Sequence, residues 1–162
     1  DTQILHASEF KNGKGNLAYF DWRESEEILE HQKQYPYIIT TNRDLEHYNC
    51  GAMTRRTNNV LIHTEDVLQM NPVDAAEKGI SDGDMVCVES PRGKVDIRAS
   101  VTDAVRPGVL STTFHFPEIM VNNLTGDVHD SEAKCPEYKV VAVNFRKAKN
   151  THMRKAGELI EK

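Results

Sequence analysis

The feature that most restricts the fold is a pair of runs between residues 85 and 101. Met85 to Val88 is apolar without polar alternation, as expected of a buried strand. Pro91-Arg92-Gly93 turns the chain back, and Lys94-Val95-Asp96-Ile97-Arg98-Ala99-Ser100-Val101 then alternates, one face inward and one wetted. Shorter runs of the same texture predict strands at Tyr37 to Thr41, Val67 to Met70, Val109 to Phe114 and Lys139 to Phe145, the last with Val141, Val143 and Phe145 on one face. One helix start stands out. Asn71 caps, Pro72 takes the first helical position, Asp74 sits in the first turn, and Gly79 ends the segment. Ser81-Asp82-Gly83-Asp84 and Arg106-Pro107-Gly108 are turns. Five or six short strands with one short helix predict a mainly β domain, a small closed barrel or a sandwich.

At 162 residues and 38% hydrophobic, the chain holds one domain able to bury a core without disulfides or metal. Residues 35–146 carry the strands. Residues 1–34 mix Gly, Lys and Asn with Phe20 and Trp22 before turning strongly charged, and are expected to be a linker or tail of a preceding domain. Within them Gly13-Lys14-Gly15-Asn16-Leu17-Ala18 nominally fits a dinucleotide fingerprint but lacks the preceding strand and following helix. Residues 147–162 are a charged tail, with Met153, Ala156 and Ile160 spaced like a weak helix.

The longest interruption of the strand pattern is Thr40 to Arg56, TTNRDLEHYNCGAMTRR. It combines hydroxyls (Thr40, Thr41), arginines (Arg43, Arg55, Arg56), carboxylates (Asp44, Glu46), His47, Tyr48, Asn42 and Asn49. Such loops in compact domains are functional or disordered; Leu45, Tyr48 and Met53 are expected to need burial, which argues for order. Hydroxyls and arginines suit phosphate oxygens, and a carboxylate accepts from a guanine-type edge. With a net charge of -5, the three arginines are a local concentration in an acidic protein. The overall charge speaks against a general nucleic-acid or membrane binder. His47 can donate and accept toward a ligand edge, or can order the loop by bonding to backbone. Arg55 and Arg56 either bind phosphate or bridge to other domains.

The cysteines Cys50, Cys87 and Cys135 are odd in number and form no C-x-x-C, so no zinc ribbon or iron–sulfur site is encoded. Free thiols point to a reducing, cytoplasmic compartment. No run is long and apolar enough to span a membrane, no histidine spacing suggests a metal site, and the chain opens at Asp1 without a methionine, as a piece of something longer would.

Thr40-x-x-Arg43-x-x-x-His47-Tyr48, Met53-Thr54-Arg55-Arg56, Ala75-x-x-x-Gly79-Ile80-x-x-Gly83-Asp84, Phe114-His115-Phe116, Asn122-x-Leu124-Thr125 and Pro136-Glu137-Tyr138-Lys139 occur in an order and spacing that resemble the C-terminal dinucleotide-binding domain of molybdopterin oxidoreductases. The combination is most similar to formate dehydrogenase catalytic subunits. The resemblance implies a double-psi β-barrel with a few short helices, closing over a pair of molybdopterin guanine dinucleotides that hold molybdenum or tungsten. Carried over by position, it implies cofactor contacts from Thr41, Asn42, Arg43, Asp44, Leu45, Glu46, His47, Tyr48 and Asn49, joined by Phe114, Asn122, Tyr138 and Lys139. It implies no catalytic or metal-ligating residue in this chain; the metal ligand and an iron–sulfur cluster would belong to the remaining domains of a parent subunit, and the isolated chain would not be a catalyst. Asn42 stands where the family usually has Gly, a position expected to need φ > 0, and the turn at Pro91 keeps one arginine, Arg92, where two are common. Two readings compete: the same domain of a nitrate reductase-like enzyme, and a small free-standing enzyme with Cys50 as nucleophile and His47 as base. A third is an interaction module.

Overall fold

The computed structural model describes residues 3–149. The elements run α1 (Glu26–His31), β1 (Tyr37–Thr41), β2 (Val67–Met70), α2 (Pro72–Glu77), β3 (Met85–Glu89), β4 (Lys94–Val101), β5 (Val109–Thr112) and β6 (Val141–Lys147), with 3-10 turns at Thr54–Arg56, Asn58–Leu61 and Val121–Asn123. The strands close into a barrel in the order β1-β5-β2-β4-β3-β6. β1 pairs β5 in parallel, as β2 pairs β4; every other neighbour is antiparallel.

This pairing pattern is unchanged when β1, β2 and β3 are exchanged with β4, β5 and β6. The register repeats as well: Thr41 faces Thr112 as Val101 faces Met70. Just beyond each pair the same bond recurs, from Asn42 N–H to the Thr112 carbonyl and from Thr102 N–H to the Met70 carbonyl, both 2.9 Å. The single β2–β5 pair, Gln69 with Ser111, is its own equivalent, so the pseudo-twofold axis passes between them. Two interlocked halves of this kind make a double-psi β-barrel.

The interior is built from the inward positions of all six strands: Ile39, Leu68, Met70, Val86, Val88, Ile97, Leu110, Val141 and Val143 have almost no exposed surface. Strand directions then sort the connections. At one end, called the upper end here, β1, β3 and β5 finish while β2, β4 and β6 begin. The connections there are residues 42–66, 90–93 and 113–140. The connections between strands at the lower end are residues 71–84, which include α2, and residues 102–108.

α2 starts as the sequence requires, with Asn71 Oδ1 accepting from Val73 N–H at 3.0 Å, and ends into Gly79 at φ +63. α1 is an element the sequence pattern does not announce, in a segment expected to be linker. Its Glu27 is buried and accepts from Ala142 N–H at 2.9 Å and from both terminal nitrogens of Arg92 at 2.9 and 2.7 Å. A buried carboxylate needs such a fork and a backbone donor to offset its desolvation. Arg92 is thereby a structural residue of the upper end, bonding also to the Leu124 carbonyl at 2.9 Å.

Four expectations are corrected. β5 ends at Thr112 rather than Phe114, because the chain beyond it turns onto the buried Asp66 carboxylate. Lys139 lies in a turn and not in β6, which begins at Val141. Asn42 keeps a negative φ; the left-handed residue of that loop is Asn49, at φ 50. Leu45, Tyr48 and Met53 are exposed, as are Leu61 and Ile62, because polar side chains rather than an apolar cluster hold the loop. The expected helix in the charged tail falls largely on residues 150–162, outside those described.

Candidate functional site

Three segments meet at the upper end, and the barrel register explains why. β1 and β5 run in parallel, so residues 42–57 and 113–124 leave the barrel side by side. β6 runs antiparallel to β1 with Val141 opposite Ile39, which brings Tyr138 and Lys139 level with Thr41. Two bonds fasten that junction: Thr41 Oγ1 donates to the Tyr138 carbonyl at 3.1 Å, and Lys139 Nζ donates to the Thr41 carbonyl.

Beyond Thr41 the loop divides into an outer and an inner row. On the outer row, the exposed Arg43 guanidinium donates to Asn49 Oδ1 at 2.6 Å and lies 5.3 Å from the Tyr48 ring centroid and 6.0 Å from that of Phe114. One bond and two aromatic faces orient Arg43 while leaving further N–H groups available. A groove of about 420 Å³ continues from there, lined among others by Asn49, Phe114, Phe116, Met120 and Asn122.

The inner row consists of side chains that hold the loop. His47 is buried, and both ring nitrogens are engaged, one 2.9 Å from the His63 carbonyl and the other 3.0 Å from Thr54 Oγ1. The carbonyl can only accept, so Nε2 carries the proton and Nδ1 accepts. The Asp44 carboxylate faces the His63 imidazole at 2.9 Å. Asn59 donates to the Glu46 carbonyl at 2.7 Å. Arg55 pairs with Glu118 at 2.6 Å and stacks over Phe116. Burial is the strongest single influence and pushes the Glu118 carboxyl up, but its bond to Arg55, its own backbone N–H and the Arg55 charge together leave it below the usual carboxylate range. Gly51 closes the turn at φ +68, where an added Cβ would lie 2.6 Å from the His115 carbonyl oxygen, so no larger residue fits.

Of the residues singled out from sequence, Asn49, Phe114 and Asn122 line the groove, Arg43 and Tyr48 adjoin it through the Arg43 contacts with Asn49, Tyr48 and Phe114, and Thr41, Tyr138 and Lys139 are joined at the junction of β1 with β6. Asn42 lies beneath, its Nδ2 donating to Ser111 Oγ at 2.6 Å. Asp44 and His47 turn inward to the chain's own partners, and Leu45 projects to the outer flank. Glu46 is half-buried. With both nitrogens engaged by Thr54 and His63, His47 is not turned to Cys50 as a base. The loop-holding residues His63, Asp66, His115 and Glu118 were not foreseen. The only signal was positional: Asp66 stands immediately before an apolar strand, and His115 sits between two aromatic residues.

The donor set suits a large phosphorylated heterocycle. Arg43 and Lys139 carry N–H donors of the kind phosphate oxygens accept, Asn122 a carboxamide of the kind that bonds ring edges, and Tyr48 and Phe114 faces for stacking. Asn42 Oδ1 is buried without a hydrogen-bond partner, an acceptor that a ligand N–H or water would satisfy. Among the described residues no cluster of His, Cys, Asp or Glu has the arrangement to hold a metal ion.

Residues 37–142 match the model of the molydopterin dinucleotide binding domain. The chain belongs to this family. It is similar to the F420-dependent formate dehydrogenase subunit alpha of Methanocaldococcus jannaschii, 39% identical over 149 residues, which are 90% of this chain and 22% of that subunit. It is also similar to the periplasmic nitrate reductase of Desulfovibrio desulfuricans, 34% identical over 120 residues, 74% of this chain and 16% of that protein. The chain thus spans about a fifth of the length of these curated relatives. Among solved structures it resembles acetylene hydratase from Pelobacter acetylenicus, with a TM-score of 0.64 at 17% identity, covering 75% of this chain and 19% of that one. At that identity the likeness bears on the fold alone. It agrees with the double-psi β-barrel derived from the strand pairing.

Proposed function

We propose that the upper-end groove holds part of a bis(molybdopterin guanine dinucleotide) cofactor within an oxidoreductase that converts formate to carbon dioxide. The observation that carries this is the convergence of three separate segments, at residues 41–49, 114–122 and 138–139, on one end of a barrel whose family binds a molydopterin dinucleotide. Arg43 and Lys139 meet phosphate oxygens, Asn122 bonds to a ring edge, and Tyr48 and Phe114 flank a heterocycle. The similarity to a formate dehydrogenase subunit favours formate as substrate over nitrate. When bound, the cofactor supplies a molybdenum or tungsten centre for the redox chemistry; the chain's part is to bind, orient and shield it.

The remaining domains of the parent subunit are proposed to supply the metal ligand and an iron–sulfur cluster. The exposed Leu45, Met53, Leu61 and Ile62, all on the one connection 42–66, support packing against them, since large apolar side chains favour being covered.

Substitution in the full parent subunit tests the site. Arg43→Ala and Asn122→Ala should lower cofactor content per polypeptide, measured as released pterin and bound metal, by about tenfold at limiting cofactor. Both are surface changes, so the unfolding midpoint should stay within about 0.5 kcal/mol of the parent. Normal loading in both variants would overturn the assignment.

A further inference from the structure

The residues that touch the groove are held in place by others that do not, and the line of force leads to one side chain. His115 has no exposed surface. Its Nε2 accepts the Asp44 backbone N–H at 3.1 Å. A backbone N–H only donates, so Nε2 is the bare nitrogen and Nδ1 carries the proton, which it gives to the Asn49 carbonyl. One imidazole in one tautomer thus bridges the two ends of residues 44–49.

Both ends matter to Arg43. Asp44 is its immediate neighbour. Asn49 holds a left-handed backbone at φ 50, uncommon for a residue with a Cβ, and its side-chain oxygen accepts from the Arg43 guanidinium at 2.6 Å. The bond from Nδ1 to the Asn49 carbonyl fixes that backbone and with it the oxygen that aims Arg43. His115 is itself anchored: Asp66 accepts from the His115 N–H at 3.0 Å, from the Phe116 N–H at 2.9 Å, and from the Thr113 hydroxyl. Asp66 precedes β2, so the chain of contacts runs from the barrel wall through Asp66, His115 and Asn49 to Arg43.

We propose that His115 is the positioning residue of the cofactor site, acting on the cofactor through Asn49 and Arg43 and never touching it. The sequence draws attention to His47 in this role. His47 instead braces the far side of the loop through Thr54 and His63, and has no bond to Arg43 or Asn49 among the described residues. This inference rests on the reading of Arg43 as a cofactor contact.

The test is a double-mutant cycle on cofactor dissociation from the loaded parent subunit, followed by pterin release. His115→Gln keeps an acceptor within reach of Asp44 N–H but loses the simultaneous donor to Asn49. It should speed release about tenfold in the parent background, the effect of one well-placed hydrogen bond. In an Arg43→Ala background the same change should alter release less than about twofold, because the group it positions is gone. Asn49→Gly keeps the left-handed backbone and removes the oxygen that aims Arg43 without disturbing the buried ring; it should reproduce both results and serves if the His115 variant does not fold. Equal effects of His115→Gln or Asn49→Gly with and without Arg43, or no effect in either background, would overturn the positioning role while leaving the site intact. Unchanged release on Arg43→Ala alone would overturn the site assignment, and this inference with it.

Discussion

The two ends of the barrel are equivalent by its internal symmetry and opposite in chemistry. At the lower end β4 leads to β5 through residues 102–108, while the matching connection at the upper end, from β1 to β2, takes residues 42–66. Likewise residues 71–84 correspond to residues 113–140. The strand termini differ in the same sense: Val101 and Met70 close the lower end, where Thr41 and Thr112 stand at the upper. Asp74 Oδ2 accepts from Gly108 N–H at 2.8 Å and Asn71 donates to the Val105 carbonyl at 2.8 Å, so the lower end is tied shut with a few internal bonds. One scaffold therefore carries a sealed end that contributes stability and an open end that contributes a site.

The largest effects should be blind to this difference. Leu68 and Leu110 occupy equivalent positions and are fully buried. Leu68→Ala and Leu110→Ala should each cost about 2–5 kcal/mol in denaturant unfolding, by lost burial plus cavity. Cofactor content per folded molecule should not change. If Leu110→Ala, on the strand that feeds the groove, also empties the folded fraction of cofactor, core and site are coupled and the division of labour fails.

The next effect down should separate the ends. Asn71→Ala removes the cap of α2 and its bond to Val105, for a loss of about 1 kcal/mol in stability with cofactor loading untouched. Arg43→Ala and Asn122→Ala, at the other end, should show the reverse pattern. A lower-end cap that changes loading as much as Arg43 does would break the comparison.

The barrel was more legible in the sequence than the loop that crowns it. Strands β1, β2 and β4 and the start of α2 follow from local alternation and capping, since a buried strand or a helix N-terminus writes its requirement into neighbouring residues. The sequence also placed Arg43, Asn122 and Lys139 together, by resemblance rather than by spacing. It could not say that His47 faces inward or that His115 and Asp66 hold the loop. The roles of His115 and Asp66 are set by contacts between residues 49 to 71 positions apart, and that of His47 by bonds to Thr54 and His63 inside an irregular loop, neither of which leaves a periodic pattern. The exposure of Leu45 and Met53 is hidden from the sequence for a related reason. An apolar residue in a loop asks for burial, but nothing in one chain says whether its own core or another domain provides it.

The smallest expected effect compares two acidic residues, one at each end. Asp84, at the lower end, is held below the usual carboxylate range by its bond to Lys147 and by the Ser81 N–H. Glu118, at the upper end, is also lowered: burial opposes ionisation most strongly, and the Arg55 bond, the backbone N–H and the Arg55 charge together more than compensate. A carboxyl whose folded-state pKa is depressed adds stability that is complete above its unfolded value, about 4.3 for Glu. That stability fades as pH falls through the lower folded value. Unfolding midpoints followed from pH 7 to pH 3 should therefore fall on the acid side, and Glu118→Gln should remove part of that fall. A partly exposed pair of this kind is worth about 1 kcal/mol or less. The sharper measurement is loop-specific: amide exchange of residues 51–55 should become pH-sensitive over the same acid range, because Arg55 stacks on Phe116 and its stem packs on Gly51. In Asp84→Asn that loop signature should persist while the lower-end contribution disappears. Identical acid profiles for the parent chain and Glu118→Gln would show that the Arg55–Glu118 pair braces nothing at the upper end.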